Sequence, residues 1–151
     1  MFKETILEFY ERDIRKLREE IAAYKDESSI WKVHEGISNS GGNLCLHLVG
    51  GSLNHFIGAI LGNTGYVRNR EREFTDKNLS REQLISGIDS ALQTVKITLT
   101  NLKEEDISKE YPIEFGGRKV STMYILIQML AHVNYHLGQI NYHRRLIENI
   151  S

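Results

Sequence analysis

Two histidines, His132 and His136, sit four residues apart in the apolar run Leu130-Ala131-His132-Val133-Asn134-Tyr135-His136-Leu137-Gly138-Gln139. On a helix, residues i and i+4 share a face with Cβ atoms about 5–6 Å apart, so both imidazoles can reach one metal ion. The spacing alone is weak evidence, because six histidines among 151 residues give about 0.2 such pairs by chance. Gln139 and His143 continue the stripe, beside Ile125, Met129 and Ile140, which are expected to face the core. A buried imidazole needs partners for its nitrogens, and several on one apolar face are more easily satisfied by a shared ion than by separate hydrogen bonds. On spacing alone, ligand and satisfied core histidine are evenly weighted readings of the pair.

A third ligand must come from a helix packed against this one. His47, inside Leu44-Cys45-Leu46-His47-Leu48, has the most apolar surroundings, and His55 is its rival. Eight residues separate the two, about 12 Å along a helix, so they cannot both serve one compact site. His34 falls in an expected connection and His143 two turns past His136, so both are expected at the surface or behind the ligands. Three neutral imidazoles without carboxylate or thiolate suit zinc, nickel or a similar divalent ion and leave coordination positions open for water or substrate. No carboxylate accompanies the histidine stripe. Cys45, turned about 200° from His47 on a helix, is read as buried packing rather than as a nucleophile or ligand. Gln139 would either orient a ligand or bound water, or satisfy the imidazole of His136. Gly50 and Gly51, one turn past His47, would either leave room for substrate or let two helices touch.

Four helices are expected to position these groups. Phe2, Ile6, Phe9, Ile14, Leu17, Ile21 and Tyr24 recur at mostly three- and four-residue steps, an amphipathic helix ending near residue 24. Residues 26–42, rich in Ser, Asn and Gly, form a connection that Trp31 and Val33 should anchor inward. The apolar residues 44–61 make a second helix, stopped by Gly62-Asn63-Thr64-Gly65. Residues 66–79 read as a long polar crossover, after which Ser80-Arg81-Glu82-Gln83 supplies a capping box for a third helix reaching Leu102. Pro112 and Gly116-Gly117 mark a small hairpin or extended loop, and Ser121 caps a fourth helix running to about residue 147. The expectation is an all-α chain, a four-helix bundle with a long crossover connection, forming a single domain over residues 1–151.

Composition narrows the partners. With 19 Lys+Arg against 20 Asp+Glu, the net charge of −1 gives no electrostatic reason to favour nucleic acid or an anionic membrane. The most basic stretch, residues 67–73, alternates arginine with glutamate, lacks aromatics and reads as a solvated loop. The longest apolar stretches are broken by polar residues, so no membrane span is expected. One cysteine and a start without an apolar leader point to the cytoplasm.

These residues resemble the DinB-like superfamily of four-helix metal-binding proteins, which includes YfiT-like metal-dependent hydrolases and the bacillithiol and mycothiol S-transferases. The resemblance covers essentially the whole chain. It rests on His47 within Asn43-Leu44-Cys45-Leu46-His47-Leu48, and on His132-x-x-x-His136-Leu137-Gly138-Gln139-Ile140, similar to an H-x-x-x-H-x-G-Q ending. Ile30-Trp31-Lys32-Val33 and Ser40-Gly41-Gly42-Asn43-Leu44 look like a bacterial branch of that superfamily. The resemblance implies His47, His132 and His136 as a metal triad, and dimerisation through bundle faces. An arginine often precedes the Gly-Gln of that ending, where this chain has Leu137. The leading expectation is an enzyme whose metal activates water or a low-molecular-weight thiol, with thiol transfer to a small-molecule electrophile first and hydrolysis second. The alternatives are a non-catalytic metal- or ligand-binding helical homodimer, and an apo bundle with satisfied core histidines.

Overall fold

The first amphipathic segment forms α1 (Phe2–Ala23), which buries Ile6, Tyr10, Ile14, Leu17 and Ile21 along one face. Tyr10, not Phe9, takes the second core position: it lies four residues from both Ile6 and Ile14, and its hydroxyl donates to the Leu126 carbonyl over 2.5 Å. That bond settles the polar end of a fully buried ring, while Phe9 stays exposed under the guanidinium of Arg12. The computed structural model describes residues 1–149.

Trp31, at the end of a 3₁₀ turn (Glu27–Trp31), anchors the first connection by donating its indole N–H to the Leu79 carbonyl at 3.1 Å. Val33 is exposed instead of tucked inward, and Ile30 is the fully buried residue of this segment. Ser40 then caps α2 (Gly41–Gly62), its hydroxyl accepting from the Asn43 N–H at 3.1 Å. From Leu48 to Ala59 the helix widens to π winding, in which the Ile60 N–H reaches the His55 carbonyl five residues back. The buried Leu44, Leu48, Leu53 and Ile57 recur at steps of four, five and four, matching a turn wider than an α-helix offers. By length and composition α2 is apolar enough to cross a bilayer, with a mean hydropathy of 1.5, which corrects the expectation that every apolar stretch falls short. In the bundle it is the core helix, packed on both neighbours.

The crossover contains a short helix, α3 (Arg70–Thr75), capped by Asn69. Ser80 and Gln83 close the expected capping box on α4 (Arg81–Asn101), with bonds of 3.1 and 2.8 Å. After the single turn α5 (Glu104–Ile107), Phe115 and Arg118 pair across Gly116-Gly117. Both glycines sit at positive φ, 61° and 77°, as a two-residue hairpin turn requires. Ser121 accepts from the Tyr124 N–H at 3.0 Å and starts α6 (Thr122–Asn149), 28 residues long.

α1 and α2 each pack against both α4 and α6. Tyr10 meets Leu126 and Tyr24 meets His143, so α1 runs parallel to α6. Arg18 pairs with Asp89 and Glu11 with Lys96, so α1 opposes α4. Gly41 lies by His143 and His47 by His132, so α2 opposes α6. The order is therefore up, down, down, up. Residues 63–80 must travel the length of the bundle to join the two descending helices, and this crossover lays α3 against the outer side of α2.

Candidate metal centre

The bundle brings His47 of α2 together with His132 and His136 of α6. His47 is 8% exposed, and the other two are half-buried. Ring centroids lie 4.9 Å apart for His47 and His132, 5.2 Å for His47 and His136, and 4.5 Å for His132 and His136. One nitrogen from each ring falls within 4.8 Å of the other two. Nε2 of His47 and Nε2 of His132 are 3.2 Å apart. Two nitrogens bound at about 2.0–2.1 Å to a tetrahedral ion are separated by about 3.3 Å, so this edge already has the right length.

The outer nitrogens are held by acceptors. His47 Nδ1 lies 3.0 Å from Glu73 Oε1, and His136 Nδ1 lies 2.6 Å from Gln139 Oε1. A carboxylate and a carboxamide oxygen only accept, so in each neutral ring the proton sits on Nδ1 and the Nε2 lone pair points away from the partner. Burial, reinforced by His136, His47 and Arg68, pushes the His132 imidazole down to about 4. Burial also lowers His136, partly offset by Gln139. Neutral imidazoles are the form a metal takes.

Glu73 is the residue of this cluster that sequence reasoning missed. Residues 67–73 are not a solvated loop throughout, and a carboxylate does accompany the histidines: Glu73, on α3, is only 5% exposed. Arg68 grips it with Nε to Oε2 and Nη2 to Oε1, both at 2.9 Å. Burial pushes the Glu73 carboxyl up, but the bonds from His47 and Arg68 more than offset it, leaving the group below its usual range. A Cβ on Gly50 would come within 2.7 Å of Glu73 Oε2, and one on Gly51 would overlap the Arg68 guanidinium. These glycines therefore seat an ion pair rather than a helix or a substrate. Asn43 fastens α3 above them by donating to the carbonyls of Glu73, at 3.0 Å, and Asp76, at 2.8 Å. The signals for Glu73 were the glycine pair just after His47, and Asn69 as a cap four residues ahead of it.

The remaining candidates lie elsewhere. His55 stacks edge-on against Phe56 at 4.8 Å, outside the group. His34 is exposed in the first connection. His143 is not at the surface but 3% exposed: its Nε2 donates to the Lys32 carbonyl at 2.8 Å, and its Nδ1 accepts from the Tyr24 hydroxyl at 2.7 Å. Cys45 is fully buried, and burial pushes its thiol up to about 12, so it is packing. Past Gln139 a cleft of about 630 Å³ opens toward the C-terminal end of α6.

The sequence pattern of a family described as "Protein of unknown function (DUF1572)" matches residues 3–150. Among solved structures, the chain is similar to YjoA, a DinB-like protein from Bacillus subtilis, at 18% identity over 97% of this chain and 94% of that one, with a TM-score of 0.70. It is also similar to a DinB-like protein from Bacillus cereus, at 19% identity over 95% of this chain and 91% of that one, with a TM-score of 0.72. No curated protein matches the chain. At these identities the likeness speaks to the fold, and with it the three-histidine cluster is compatible with a metal-binding site.

Proposed function

We propose that this chain, which belongs to the DUF1572 family of proteins of unknown function and has the DinB-like fold, binds one divalent ion of the zinc or nickel class through His47, His132 and His136. The observation that carries the reading is the convergence of three ring nitrogens within 4.8 Å. The outer nitrogens of His47 and His136 are already engaged by Glu73 and Gln139. Such outer partners fix ring orientation and tautomer and raise the basicity of the ligating nitrogen. The donor set fits the ion: three neutral imidazoles on two helices leave coordination positions for a further ligand.

When bound, such an ion lowers the pKa of a coordinated water or low-molecular-weight thiol and supplies a nucleophile near neutral pH. The chain's own residues then divide the work. Glu73, clamped by Arg68, keeps the His47 ring aimed inward, and Gln139 does the same for His136. The reaction we favour is transfer of a thiol to a small electrophile, ahead of hydrolysis. The same reading has the protein working in the cytoplasm as a homodimer, and its net charge of −1 supports neither nucleic acid nor membrane as partner. The wild type is expected to carry near-stoichiometric metal and show metal-dependent turnover with thiol and electrophile pairs. If His136→Ala keeps both the metal and all detected turnover, the reading fails.

A second reading, a non-catalytic helical dimer stabilised by metal or a small ligand, is favoured by the apolar residues that α6 leaves exposed, among them Ile127, Tyr135 and Tyr142. It predicts that chelation lowers the melting temperature or dissociates the dimer, while thiols and electrophiles show no metal-dependent turnover.

A further inference from the structure

Gly138 is a glycine with nothing to make way for. It lies in the interior of α6, where glycine weakens a helix relative to alanine, and a Cβ there would meet no atom within 4 Å. Gly50 and Gly51 are each occupied by a neighbour's polar group, whereas Gly138 faces open space in the wall of the cleft of about 630 Å³. That volume lies within the range of small-molecule sites. Ile37, Leu44, Tyr135, Tyr142 and Leu146 give the cleft apolar and aromatic walls, and Ser38 and Asn39 of the first connection close one side. Among the described residues, no Asp, Glu, Lys or Arg lines it. A charged ligand would lose hydration there without gaining an ion pair. Gln139 borders both places: it lines the cleft, and its Oε1 holds the outer nitrogen of His136.

We infer that this cleft binds an uncharged, largely apolar organic molecule, with Gly138 as the residue that keeps it open. The inference stands on the cleft alone, since none of the three proposed metal ligands lines it.

The test uses the neutral fluorescent probe N-phenyl-1-naphthylamine with the wild type, Gly138→Leu, Leu146→Asp and His132→Ala. Gly138→Leu puts a side chain into the cleft, and Leu146→Asp puts a charge on its wall at a position 52% exposed, so the bundle tolerates both. Saturable binding to the wild type is expected, weakened about tenfold or more by either variant, with far-UV circular dichroism and metal content unchanged. His132→Ala is expected to keep the probe and lose the metal. Equal binding by the wild type and both cleft variants, or no saturable binding by the wild type, overturns the inference even if metal is present. Probe binding that Gly138→Leu selectively removes from a wild type that takes up no metal leaves the cleft standing and removes the metal reading instead.

Discussion

His132, His136 and His143 lie along one stripe of α6, yet their ring nitrogens are spent in different ways. His143, nearer the C-terminal end, gives one nitrogen to the Lys32 carbonyl and the other to the Tyr24 hydroxyl, so the protein itself satisfies the whole ring. In the middle of the helix, Gln139 holds the outer nitrogen of His136, while His132 turns its Nε2 toward Nε2 of His47. Spacing along the helix does not separate these cases, since all three histidines share the period of the buried face. Hydrogen-bond accounting does: an imidazole with both nitrogens on protein oxygens is a strut, and one aimed at other imidazoles is compatible with a metal ligand.

The largest effect that follows from the contrast is on metal content. His132→Ala should lose the ion, whereas His143→Ala should retain it, as elemental analysis of purified protein would show. Next comes the support behind His47. Glu73→Ala removes the acceptor of the His47 Nδ1 proton and should weaken metal affinity by about 10–100-fold, measured by competition with a chromogenic chelator. Glu73→Gln, which keeps an acceptor oxygen, should recover part of that loss. A Glu73→Ala protein with wild-type affinity would mean that the carboxylate only packs.

At His143 the currency is stability. His143→Ala leaves the Tyr24 hydroxyl and the Lys32 carbonyl without their partner and should cost about 1–3 kcal/mol in chemical denaturation. The smallest expected effect is on pH dependence. Burial holds the folded His143 imidazole below its ordinary value of 6.5, partly offset by the Lys32 carbonyl. The native state thus favours the neutral ring, so its contribution is complete above pH 6.5 and falls away as the unfolded chain takes up the proton at lower pH. In metal-free protein, melting temperatures between pH 7 and 5 should fall less for His143→Gln than for the wild type. Equal slopes would place the titration elsewhere.

Much of the scaffold is written locally. The capping box of Ser80 and Gln83, the Ser121 cap and the Gly116-Gly117 turn involve residues within three or four positions of each other, and the structure forms each of them. The parts that were not legible are the ones whose physics is non-local. Glu73 sits in an alternation of arginine and glutamate that is solvated by every local criterion. Its burial depends on Arg68 folding back onto it and on two glycines supplied by a different helix. His143 finds its partners 119 and 111 residues away, too far for any periodicity to announce. The π winding of α2 was hidden because a continuous apolar run reads the same whether its buried residues recur at three and four or at four and five.

Elemental analysis of the wild type, His132→Ala and His143→Ala, purified side by side and reconstituted with zinc or nickel, tests the central claim most directly. The account predicts close to one divalent ion per chain in the wild type and in His143→Ala, and almost none in His132→Ala. A wild type that takes up no metal on reconstitution, or three proteins that take it up equally, would contradict it and make His132 and His136 struts like His143.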